Sequence, residues 1–62
     1  MKVRNYKEFS RLLMDNNFKF ERVHGSHEVW KRNGDTIVVP FHNVNFMIQK
    51  RLIKSFNLKE EK

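Results

Sequence analysis

Two turn signals eight residues apart, Gly25-Ser26 and Asn33-Gly34, constrain this chain more than any other feature. Glycine at position 25 takes positive φ without a steric penalty, and Asn-Gly is the preferred pair for a two-residue hairpin loop. The runs on either side are strand-like. Phe18-Lys19-Phe20-Glu21 alternates apolar and charged residues at the period of a half-buried strand. His27 to Arg32 forms a second strand, and Thr36-Ile37-Val38-Val39 a third, which Pro40 ends by removing a ladder donor. The three strands therefore make an antiparallel meander. The alternation turns Phe18 and Phe20 inward, and Lys19 and Glu21 outward. Trp30, the largest apolar side chain, packs inward and sends His27, Val29 and Lys31 to the open face, although Val29 favours the opposite register.

A helix is predicted on each side of the meander. Asn5 is a strong N-cap, and Glu8 three residues later completes a capping box. Tyr6, Phe9, Leu12 and Leu13 fall on one side at helical spacing, and Lys7, Glu8, Arg11 and Asp15 on the other. Asp15-Asn16-Asn17 stops this helix, because Asn tolerates the left-handed conformation. A second helix spans Phe46 to Phe56, with Asn43 or Asn45 as its cap. Ile48, Leu52, Ile53 and Phe56 make its apolar arc, with Lys50, Arg51 and Lys54 across from it. Asn57 closes it and Leu58 folds back as the apolar contact. The expected fold is α+β, in the order α-β-β-β-α, as one domain over residues 1–62. Its three-stranded antiparallel sheet carries both helices on one face and leaves the other open.

A chain of 62 residues buries only about 60% of the surface its unfolded form exposes. It has no cysteine, so neither a disulfide nor a thiolate-bound zinc staples it. Thirteen Lys and Arg against seven Asp and Glu leave a net charge of +6 and a pI near 10.1. So large a surplus on a small surface attracts polyanions, nucleic acid foremost. The segment Met1 to Glu8 lacks the apolar core of a signal peptide, and Ile37 to Phe41 is far too short to cross a bilayer. These features point to a cytoplasmic protein without membrane contact.

His27, at the mouth of a strand beside a tight turn, is the candidate catalytic group. Imidazole changes charge between about pH 5 and 8, so it can move a proton near neutrality. On a basic open face, such a group suits cleavage of RNA. A base takes the 2′-hydroxyl proton, cations stabilise the charge growing on phosphorus, and an acid protonates the leaving oxygen. DNA has no 2′-hydroxyl, which confines this route to RNA. Arg22, Lys19 and Lys31 are candidate phosphate anchors, with Gly25 and Ser26 completing the RNA-binding set at the turn. Ser26 is adjacent to His27 on a strand, so the two point apart and do not make a nucleophile-base pair. His42 is either a hydrogen-bonding group of the connector or a second proton-transfer group. A metal site would have to combine His24, His27 and His42 with Glu28 or Asp35, whose spacing fits no metal pattern. Neither a metal nor another cofactor is expected.

These residues bear a family likeness. The chain resembles the HicA-type toxins, small mRNA interferases of toxin–antitoxin systems. The likeness rests on the amphipathic first helix, Phe18 opening a strand, Arg22-Val23-His24-Gly25-Ser26-His27, Val39-Pro40-Phe41-His42, and a basic helix ending near Asn57-Leu58. It implies a fold similar to a double-stranded-RNA-binding domain, and it assigns the activity-bearing histidine of the Gly-Ser-His motif to His27. It further implies ribosome-independent cleavage of mRNA that slows growth, and a HicB-type antitoxin that covers the histidine. The chain departs from the family where Asn16-Asn17 replaces a helix-closing glycine and where position 24 is His rather than another basic or polar residue. The connector after His42 is also short, without a Gly-rich or Lys-rich segment. The alternative is a non-catalytic RNA-binding module of the same fold, motivated by the basic face.

Overall fold

Asn5 opens helix α1 (Tyr6–Asp15) with both halves of a capping box. Its Oδ1 accepts from the Glu8 amide at 2.8 Å, and Glu8 Oε1 accepts from the Asn5 amide at 3.1 Å. The helix ends in a Schellman motif: the Phe18 amide donates to the Leu13 carbonyl and the Asn17 amide to that of Met14. Asn17, at φ 71°, takes the left-handed position that glycine usually fills. Helix α2 (Phe46–Ser55) repeats this grammar. Asn45 caps it by accepting from the Ile48 amide, Asn57 turns left-handed at φ 53°, and the Leu58 amide donates back to Ile53.

The structure, a computed structural model, describes residues 3–40 and 44–60. Between the helices lie β1 (Lys19–His24), β2 (His27–Arg32) and β3 (Asp35–Pro40), an antiparallel sheet in the order β1-β2-β3. Gly25 has φ 64° and is the first residue of its loop, the pattern of a type II′ turn. Asn33 and Gly34 both have positive φ, at 35° and 97°, the pattern of type I′. Both turns match the right-handed twist of the strands they join.

Register decides what each face carries. The turn pairs His24 with His27, Val23 with Glu28 and Arg22 with Val29, whereas Phe20 pairs with Trp30 and Lys19 with Lys31. The one-residue difference is absorbed by a β-bulge at Glu21. Phe18 and Phe20 thereby face the helices, while Arg22 and His24 face the open side.

The core lies between the helices and one sheet face. Phe9, Leu12 and Leu13 of α1 meet Phe18, Trp30, Ile37, Val39 and Leu58, with Leu52, Ile53 and Phe56 packed at the margin. Phe20 is on this face, edge-on to Trp30 at 5.7 Å, yet remains 49% exposed at the β1 edge. Val29 is the reverse case. It belongs to the open face but is only 6% exposed, enclosed in the central strand between Arg22 and Val38.

Polar side chains tie the ends of the elements together. The Arg32 guanidinium pairs with Asp35 at 2.8 Å, donates to the Asn16 and Phe56 carbonyls, and covers the Phe18 ring at 4.4 Å. It thus fastens the last turns of both helices, where cations oppose the helix dipole. Gln49 is fully buried and exchanges hydrogen bonds with the Arg4 backbone in both directions. Asn16 does the same for Lys59.

Candidate nucleic-acid interface

His27 is exposed on the open face, at the first residue of β2. Two shallow concavities meet at its side chain. One, of about 290 Å³, is lined by Arg22, His24, His27, Val29 and Val38. The other, of about 310 Å³, is lined by His27, Val38, Pro40, Ile48, Arg51 and Leu52. His27 therefore stands over an aliphatic floor between two concavities, one lined in part by Arg22 of β1 and the other by Arg51 of α2.

The other predicted anchors are further off. Lys19 and Lys31 pair across β1 and β2 on the same open face. Lys31 is four residues from His27, about 13 Å along a strand. Glu21 sits among these cations, 3.2 Å from Arg22 and 3.7 Å from Lys31. Gly25 and Ser26 form the turn beside His27. His42 lies outside the described residues. Arg51 was not among the sequence-predicted anchors. The signal for it was the basic side of the second helix, whose angle to the sheet the sequence does not specify.

Glu28 lies on the opposite face from His27, which removes it from any joint site with that ring. It is 7% exposed and accepts from Trp30 Nε1 at 3.0 Å and from the Tyr6 hydroxyl. The bond to Glu28 pushes the Tyr6 phenol above its ordinary pKa, with desolvation adding to the rise. Among the described residues, no group of three His, Cys, Asp or Glu side chains is placed to hold a metal ion. A larger concavity, about 620 Å³, lies at the C-terminal ends of the helices, lined by Asp15, Asn16, Asn17, Arg32, Phe56, Asn57 and Lys59. Arg32 and Asn16 are already engaged there in holding the helix ends, and His27 is at the other end of β2.

Residues 6–60 match the model of the HicA toxin family of bacterial toxin–antitoxin systems. The chain belongs to the HicA toxin family. Searches of curated proteins and of solved structures return no match. The family match makes this HicA-family chain a toxin of a toxin–antitoxin system, with an antitoxin as its implied partner. No helix among the described residues is long and apolar enough to cross a membrane.

Proposed function

We propose that this HicA-family toxin is an endoribonuclease that cleaves mRNA without a metal, with His27 as a general acid/base. The carrying observation is the exposed imidazole between two arginines on the open sheet face. Neutral His27 takes the proton of a ribose 2′-hydroxyl, and the freed oxygen attacks the adjacent phosphorus. Arg22 and Arg51 hold the phosphate oxygens, where guanidinium matches a bidentate grip. Lys19 and Lys31 guide the neighbouring backbone as point charges, and Ser26 hydrogen-bonds a phosphate at the turn. The partner that silences the protein in the cytoplasm is a HicB-type antitoxin covering His27.

The test is cleavage of an mRNA transcript in EDTA by the wild type and by His27→Ala. Wild-type cleavage with loss of about 10²-fold or more in a folded His27→Ala is expected. Equal rates for the two proteins would reject the assignment. Salt-dependent RNA binding with no cleavage would identify a non-catalytic binding module instead.

A further inference from the structure

His24 and His27 are the closing pair of the Gly25-Ser26 hairpin and face each other directly across the strands. Both rings are on the open face and line the same concavity with Arg22, Val29 and Val38. Side chains opposed in this way have Cβ atoms about 4.5–5.5 Å apart. That leaves room for two rings to bracket a single phosphate, each ring nitrogen within about 3 Å of an oxygen it serves. Both residues are exposed, and among the described residues no hydrogen bond holds either ring. Neither imidazole is thus occupied by the fold. The bulge at Glu21 and the tight turn fix the strand positions from which both rings project.

We propose that His24 is the general acid of the cleavage step, the counterpart of His27 on the far side of the phosphorus. The inference rests on the nuclease reading above. His27, neutral, takes the 2′-hydroxyl proton as the 2′-oxygen bonds to phosphorus. His24, as imidazolium, gives its proton to the 5′-oxygen as the P–O5′ bond breaks. The products are a 2′,3′-cyclic phosphate and a 5′-hydroxyl. The proton gained by His27 goes to water, and His24 takes one from water, so the pair is reset without any co-reactant. Arg22 and Arg51 are the charged groups that flank the pair.

A leaving group that needs no proton separates this role from a structural one. Two RNAs are compared, one with a normal linkage at a single cleavable position and one with a bridging 5′-sulfur there, since thiolate departs unprotonated. His24→Ala and His24→Gln are expected to slow the oxygen substrate by about 10²–10³-fold. Both variants are expected to cleave the sulfur substrate within a few-fold of wild type, whereas His27→Ala is slow on both. Wild-type rates for either His24 variant on the oxygen substrate would overturn the inference alone, as would equal slowing on both substrates. A wild-type protein that leaves both RNAs intact would overturn the nuclease reading and this inference with it.

Discussion

Phe20 and Arg22 are two residues apart on β1 yet face opposite sides of the sheet. Phe20 meets Trp30 on the helix face, and Arg22 sits beside Val29 on the open one. Two local demands conflict here. The two-residue turn fixes His24 opposite His27, and continuing that register would carry Phe18 and Phe20 out to solvent. The bulge at Glu21 satisfies both demands, so one extra residue supplies a closed core and a basic face together.

Deleting Glu21 should therefore be far worse than truncating it. Without the extra residue, either the aromatics leave the core or Arg22 and His24 leave the open face. Loss of buried phenylalanine costs about 3–5 kcal/mol, comparable to the whole stability of a domain this small. Circular dichroism at 25 °C should show the deletion variant largely unfolded and Glu21→Ala folded. A deletion variant as stable as the parent would mean that the strand can take up the slip elsewhere.

Gly25→Ala tests the turn without touching any neighbour. A Cβ built there meets nothing within 4 Å, so the penalty lies in the backbone, at φ 64°. An L-residue held in such a sparsely populated backbone conformation costs about 1–3 kcal/mol. Urea unfolding should report that loss, and D-Ala at the same position, introduced by chemical synthesis, should restore the midpoint. Failure of D-Ala to do so would place the strain elsewhere.

Element order, caps and turns were legible because each is written in a few adjacent residues: Asn5 with Glu8, Asn33 with Gly34, Asn57 with Leu58. The face of Trp30 was legible from bulk and alternation, and His27, Lys31 and Val29 followed from it. Val29 pulled toward the other register because alternation does not distinguish burial beneath helices from enclosure by strands on both sides. The polar struts could not be read. Arg32, Gln49 and Asn16 act on partners 16 to 45 residues away, and no local pattern marks such pairings. The position of Arg51 depends on how α2 is set against β3, which is likewise non-local.

Tyr6→Phe should destabilise the protein by about 1 kcal/mol, below the usual range for a bond to a charged group because Tyr6 is 38% exposed. The pH dependence has a definite sign. Glu28 holds the phenol protonated, so its pKa is higher folded than unfolded. The contribution is whole below the free phenol value of about 10 and is lost as pH rises through the higher folded value. Urea midpoints of the two proteins should therefore differ at neutral pH and converge in strong alkali. A gap that widened with alkali would contradict the assignment.

Arg51→Ala separates phosphate grip near the imidazole from general attraction to a basic surface. Arg51 shares a concavity with His27, whereas Lys19 belongs to the distant Lys19–Lys31 pair. Either truncation removes one cation, so each should reduce the slope of log affinity against log salt by about 0.7 on single-stranded RNA. The two should differ in turnover. In the proposed mechanism Arg51 stands where charge builds on the attacked phosphorus, so its loss should cut the cleavage rate of bound RNA about tenfold or more, with Arg51→Lys recovering only part because it lacks the fork. Lys19→Ala should leave the single-turnover rate at saturating protein near the parent value. Equal single-turnover rates for Arg51→Ala and the parent would confine Arg51 to binding, and the phosphate at the reacting centre would then be held from the β1 side by Arg22.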